Sequence, residues 1–147
     1  MKKIAFLGIF LATQVVFAQN VSNVEVIKPK QSAENFEFSS KQKKLFDKQF
    51  FRFLEALKKN DSEAMNQLLS PKVKGLLSDE MIARLKAQID TSKKLESFKT
   101  RKETLIDQES YPVIEYKYTD DKSDNPKKTI SVFFEKEGQI MGIKPSK

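Results

Sequence analysis

The densest source of chemistry in the chain is a tyrosine and carboxylate group near its end: Tyr111, Tyr116 and Tyr118, with Asp107 and Glu115 beside them. A phenol that donates to a developing oxyanion and a carboxylate that takes up a proton can together move protons next to a carbonyl, provided both sit in an apolar pocket. The set that would do this is Tyr116 or Tyr118 with Asp107, in an enzyme of the isomerase, dehydratase or cyclase kind. The same residues have a plain structural reading, because tyrosines at period two are ordinary strand residues with rings in a core and hydroxyls at its edge. Histidine, cysteine and tryptophan are absent. That removes histidine acid–base work, histidine-containing metal sites, thiolate nucleophiles and every triad that needs histidine. The residues call for no cofactor and no metal.

Two further groups carry charge. The acidic run Asp120, Asp121 and Asp124 in "DDKSD" has some likeness to a calcium-binding turn, but it lacks the glycine and the closing glutamate of that loop and reads as a solvated turn. The basic run Lys99, Arg101 and Lys102, with Lys93 and Lys94 before it, is a weak anion-binding candidate. In a strand Lys99 and Arg101 point to one face and Lys102 to the other, and Glu96 and Glu103 dilute the run. Binding to acidic surfaces should therefore be weak and screened at physiological ionic strength, where the Debye length is about 8 Å. No aromatic residue interleaves within Lys99 to Lys102, so a nucleic-acid role is not expected.

The elements that must position these groups follow from pattern. "MKKIAFLGIFLATQVVFA" has a basic start, a short apolar run, and Val16 and Ala18 at the small-residue positions before a cleavage site, which reads as a secretory signal over 1–18. The run is too short for a convincing membrane span, and no cysteine follows it to carry a lipid. Export to the periplasm or the exterior is the expectation, with about 129 residues remaining, enough for one self-sufficient core. Residues 19–40 are polar and read as a flexible arm, in which Phe36 and Phe38 alternate with polar residues and could latch onto the domain. The sequon Asn20-Val21-Ser22 reads as chance. The formal charge of +7 falls to +5 once Lys2 and Lys3 are removed. Without cysteine no disulfide can hold the fold, so a hydrophobic core must.

The domain proper is read over 41–147. A first helix is predicted from about Lys41 to Lys59, capped by Ser39 or Ser40, with Phe46, Phe50, Phe53, Leu54 and Leu57 on one stripe. Asn60 followed by Glu63 predicts the start of a second helix with Ala64, Met65, Leu68 and Leu69 buried. Ser70-Pro71 predicts a short helical turn ending near Gly75, and Ser78 caps a third helix whose apolar face is Met81, Ile82, Leu85 and Ile89. Period two then takes over. "SFKTRKETLID" predicts a strand with Phe98, Thr100, Lys102, Thr104 and Ile106 on one face, "YPVIEYKYT" a second, and "TISVFFEKEGQIMGIKP" two more joined at Glu137-Gly138. The class is α+β, with about three helices first and then a meander of about four antiparallel strands.

The order of elements and the stretch "FLEALKKNDSEAMNQLLSPKVKGLLSDE" resemble the nuclear transport factor 2-like superfamily, and within it small exported bacterial domains of unknown function. The carrying residues are Phe53, Leu54, Ala56, Leu57, Asp61, Glu63, Leu68 to Pro71, Lys74, Leu77 and Ser78, then Phe134, Glu135, Gly138, Ile140 and Gly142. The resemblance spans about Lys41 to Lys144 and implies helices against a curved antiparallel sheet forming a cone, with pairing of two copies through the sheet as an option. Its motifs are caps, core and turn, and say little about chemistry. Ketosteroid isomerase, a cone-shaped relative that combines a carboxylate base, a tyrosine donor and a protonated aspartic acid, would call for a tyrosine on the first helix, where this chain has phenylalanines. Two readings stand: an exported non-catalytic binding or interaction module with an unknown small ligand or protein partner, and a small enzyme using Tyr116 or Tyr118 with Asp107.

Overall fold

The structure is a computed structural model that describes residues 37–146. The signal sequence, the sequon, Phe36 and most of the arm lie outside the described residues. Three helices, α1 (Ser40–Lys59), α2 (Ser62–Leu68) and α3 (Asp79–Gln88), precede four strands, β1 (Leu95–Thr104), β2 (Ser110–Tyr118), β3 (Thr129–Phe134) and β4 (Ile140–Pro145). The strands form one antiparallel sheet in the order β1-β2-β3-β4, open at both edges. The predicted α+β class and the helices-first order are therefore what the chain adopts. No helix among the described residues is long and apolar enough to cross a membrane.

Helix α1 starts where its capping chemistry places it. Ser39 accepts from the Gln42 N–H at 3.2 Å, and the Gln42 side chain accepts from the Ser39 N–H in return, which satisfies two otherwise orphaned donors. The helix ends at Asn60, whose φ of 56° is the left-handed conformation that asparagine tolerates better than most residues. Asn60 thus closes α1, and Asp61, accepting from the Ala64 N–H at 3.0 Å, caps α2. The predicted cap was one residue early, since a left-handed residue cannot also serve as an extended N-cap.

Between the helices, Pro71 to Gly75 forms a hydrogen-bonded turn instead of a helical segment, with the Ser70 carbonyl accepting from Val73 and Lys74. Just before it, Leu69 makes a parallel bridge to Ile140 and the Ser70 N–H donates to the Ile140 carbonyl at 2.8 Å. This bridge ties the exit of α2 to the outer strand of the sheet. Ser78 caps α3 as expected, accepting from the Met81 N–H.

Strand β1 departs from its predicted alternation in two places. A bulge between Ser97 and Lys99 breaks the register against β2, and bulges bend and twist the strand that carries them. As a result the Phe98 ring does not share a face with Thr100 and Lys102; it lies against the ammonium groups of Lys99, at 4.8 Å, and Lys117, at 5.0 Å. The strand also stops at Thr104, leaving Ile106 in a turn and 77% exposed. A second bulge, between Phe133 and Phe134, interrupts the β3–β4 pairing.

The core lies between α1 and the sheet. Phe46, Phe50, Phe53 and Leu57 have no exposed surface, and each such burial contributes about 1.5 to 3 kcal/mol of transfer free energy. They meet Ile114, Tyr116, Ile130, Val132, Phe134, Ile140 and Ile143 in one cluster. Phe38 adds to it from the end of the arm, edge-on to Phe46 at 5.5 Å, so one of the two expected latch residues does pack on the domain.

Candidate functional site

The sheet register decides which of the candidate residues can meet. Along β2 the side chains alternate, so Tyr116 and Tyr118 share the face turned to α1, while Tyr111, Val113 and Glu115 take the opposite face. Asp107 sits in the β1–β2 turn and accepts a hydrogen bond from the Tyr111 hydroxyl. From Tyr111, Tyr116 is about 17 Å further along the strand at about 3.4 Å per residue, and Tyr118 about 24 Å. The structure therefore brings Asp107 to Tyr111 and not to Tyr116 or Tyr118.

Tyr116 has another partner. Its hydroxyl donates to Asp47 Oδ1 of α1 at 2.8 Å, and Asp47 Oδ2 accepts from Lys43 Nζ at 2.8 Å. The ring is fully buried against Phe50, with centroids 4.5 Å apart, and edge-on to Phe51 at 5.9 Å. Burial first, and then the Asp47 charge, push the Tyr116 phenol far above the ordinary tyrosine range. This is a tyrosine and carboxylate pair shared between the sheet and the first helix, with Asp47 in place of the expected Asp107 and with the two types divided the opposite way from ketosteroid isomerase, which would call for the tyrosine on the helix. Nothing in the sequence spacing could have joined Asp47 to Tyr116, because the contact depends on where α1 crosses β2.

Any substrate at this pair would have to share its surroundings with packed aromatic rings. Phe46 stacks on Phe134 with centroids 4.7 Å apart and 15° between planes, and Phe50 lies on Tyr116. These rings, with Phe53 and Leu57, occupy the volume between α1 and the sheet. A pocket that binds a small molecule needs a concave apolar volume of about 300 Å³ or more.

Tyr111 belongs to a polar clasp at the end of the sheet near the β1–β2 turn. Its hydroxyl lies 2.8 Å from Lys72 Nζ and 3.0 Å from Glu109 Oε2. Lys72 also pairs with Glu109 at 2.6 Å and with Glu135 at 3.6 Å, and Glu135 accepts from the buried Ser70 hydroxyl at 2.8 Å. The hydrogen bond to Glu109, and then that to Tyr111, raise the Lys72 ammonium well above the lysine range. The hydrogen bond from Lys72 holds Glu109 below the usual carboxylate range. The clasp joins the Pro71 turn, the β1–β2 turn and the β3–β4 hairpin.

The sign of its pH dependence follows. A carboxylate with a depressed native pKa adds stability above its unfolded pKa of about 4.3 and loses it as pH falls through the native value. Lys72, with a raised pKa, keeps its contribution up to about 10.4 and loses it only as pH climbs beyond. Lys72→Met, which keeps most of the aliphatic stem, is expected to lower the melting temperature at pH 7 and to lower it less at pH 3. An equal drop at both values, read by calorimetry, would show that the clasp acts by packing alone.

The basic run is divided as the alternation predicts. Lys99 pairs across the sheet with Glu115 and Arg101 with Val113, while Lys102 stands opposite Pro112 on the other face. Arg101 is already engaged by Glu103 at 3.0 Å and Glu115 at 3.2 Å and reaches Ser131 at 3.5 Å. An incoming anion would have to displace two carboxylates. Lys93 is likewise paired, with Asp120 at 2.6 Å.

In the acidic turn, Asp121 Oδ1 accepts from the Ser123 N–H and hydroxyl, and its Oδ2 accepts from the Lys127 N–H. Its oxygens organise the loop. Among the described residues no group of histidine, cysteine, aspartate and glutamate side chains has the arrangement of a metal site. One buried polar atom, the Gln49 side-chain oxygen on α1, has no hydrogen-bond partner among the described residues. No protein-family model, no curated protein and no solved structure matches the chain.

Proposed function

We propose that the mature chain is an exported, non-catalytic binding or interaction module of the nuclear transport factor 2-like kind, acting through its surface. The observation that supports this most is the aromatic filling between α1 and the sheet, where Phe46, Phe50, Phe53, Tyr116 and Phe134 are all fully buried. A catalytic cone must keep that volume open for substrate. Export after cleavage near Ala18, and pairing of two copies through the sheet as the resemblance implies, belong to the same proposal.

The enzyme reading has one specific observation in its favour, the Tyr116 hydroxyl donating to Asp47. It is tested by a thermal-shift panel on the mature chain, using small organic acids, sugars and apolar ligands. A ligand that binds the native state raises stability in proportion to the logarithm of its concentration over its Kd. Any ligand that stabilises the mature chain should stabilise Tyr116→Phe and Asp47→Asn by the same increment. Loss of the ligand effect in both variants, with both still folded, would support the isomerase-like alternative and count against the surface module.

A further inference from the structure

A groove of about 420 Å³ runs between the end of α3 and the outer end of β2, lined by Lys86, Ile89, Asp90, Lys93, Tyr118 and Lys128 among others. Three of these side chains are ammonium groups from three separate segments: α3, the loop before β1, and the β2–β3 connection. The groove shares no lining residue with the Tyr116 pair or with the Lys72 clasp. Its volume is in the range that takes a small ligand.

The hydrogen bonds sort its donors into engaged and free. Lys86 donates to Asn60 at 2.7 Å and lies in the last turn of α3, where it offsets the carbonyl end of the helix. Lys93 pairs with Asp120 and lies 5.8 Å from the Tyr118 ring centroid. Asp90, the acidic residue of the lining, is turned onto its own loop, with Oδ1 accepting from the Ser92 N–H and hydroxyl. Tyr118 and Lys128 keep a donor unengaged. The Tyr118 hydroxyl accepts from the Asp90 N–H at 2.9 Å, and its own proton meets no acceptor among the described residues. Lys128 forms no ion pair or hydrogen bond through its ammonium group among the described residues, and it feels Asp90 only at a distance.

We infer that this groove binds the carboxylate of a small organic acid, with Lys128 and the Tyr118 hydroxyl donating to its two oxygens and Lys93 flanking them. A carboxylate offers two acceptor oxygens, and ammonium and phenol donors to an ionised acceptor form the stronger class of hydrogen bond. The inference rests on the binding-module reading and gives that module a site and a ligand class. Asp120 acts as the internal competitor, since it holds Lys93 in the absence of ligand.

The test is an amide chemical-shift titration of the mature chain with glucuronate, and with glucose as its neutral match, in about 0.15 M salt. Glucuronate should shift the amides from Gln88 to Lys93 and at Lys128, and glucose should not. Lys128→Gln, an exposed loop change that leaves the core untouched, should weaken glucuronate at least fivefold. Tyr118→Phe should do the same, and Asp120→Asn, which frees Lys93, should tighten it severalfold. The proposal falls if glucose and glucuronate act alike, if Lys128→Gln leaves the affinity unchanged, or if the shifts spread over lysines outside the groove. It also falls if glucuronate moves no amide while another ligand binds elsewhere, an outcome that leaves the module reading standing.

Discussion

Phe50→Ala is expected to lower the unfolding free energy by about 3 to 5 kcal/mol, and Phe53→Ala by a similar amount. Both side chains are fully buried on the face of α1 that meets the sheet. Removing either ring loses its transfer free energy and leaves a cavity that its neighbours cannot close, because Phe46 is stacked on Phe134 and Tyr116 is held by Asp47. Phe51, adjacent in sequence but 39% exposed, touches only the edge of this cluster. Phe51→Ala should therefore cost about 1 kcal/mol, the centre of the distribution for ordinary substitutions. Urea melts of the three variants give the ranking. A Phe51 variant as damaged as the other two would place the buried stripe on the wrong side of the helix.

The second large effect is alkaline. Tyr116 is buried beside a carboxylate, and both features keep its phenol protonated far above the ordinary tyrosine pKa of about 10. Above pH 10 the unfolded chain releases that proton and the folded chain does not, so the unfolded state binds fewer protons and stability falls as pH rises. The slope from this one group is about 1.4 kcal/mol per pH unit. Tyr116→Phe should cost about 1.5 to 3 kcal/mol at pH 7, the range for a hydrogen bond to a charged group. By pH 12 the difference should move by about 2.7 kcal/mol in favour of the variant, enough to abolish or reverse it, since the variant lacks the proton that drives the loss. Denaturant melts at pH 7, 10 and 12 measure it. Parallel stability curves for the two proteins would mean that Tyr116 titrates normally and that its bond to Asp47 does not form in solution.

Helices and strands were legible where the chain carries local signals for them. The phenylalanine stripe, the serine caps at Ser39 and Ser78, and the change from period 3.6 to period two each specify an element from adjacent residues. The two tight hairpins show where that stops. Glu135 to Gln139 and Leu105 to Glu109 close with the same pair of backbone hydrogen bonds, and the fourth residue of each has positive φ, 98° at Gly138 and 62° at Gln108. Glycine announces the first turn. Glutamine at the same position of the second gives no signal, so the strand was extended through Ile106 and Asp107. The Ser97–Lys99 bulge is equally silent, because a bulge is a property of two strands in register and not of one strand's composition.

The candidate site was less legible for the same reason. Residue types narrowed the chemistry to tyrosine, carboxylate, lysine and serine, and the division of Lys99 and Arg101 from Lys102 could be read from alternation alone. Which carboxylate each tyrosine meets could not. Asp47 reaches Tyr116 across 69 residues and Lys72 reaches Tyr111 across 39, contacts set by how α1 and the Pro71 turn lie against the sheet. Leu69 and Ile140, whose bridge anchors that turn, are simply apolar in the sequence.

Phe46, Phe50, Phe53, Tyr116 and Phe134 pack together between α1 and the sheet, and the proposed function places binding on the surface instead. Side-chain methyl and aromatic chemical-shift mapping of the protein, against a panel of small apolar and anionic ligands, tests it directly. The account predicts that ligand-induced shifts stay on surface groups and that the resonances of Phe46, Phe50, Tyr116 and Phe134 do not move. Saturable shifts at those four rings, with intermolecular contacts from ligand to the Tyr116 ring, would show an interior pocket and contradict it.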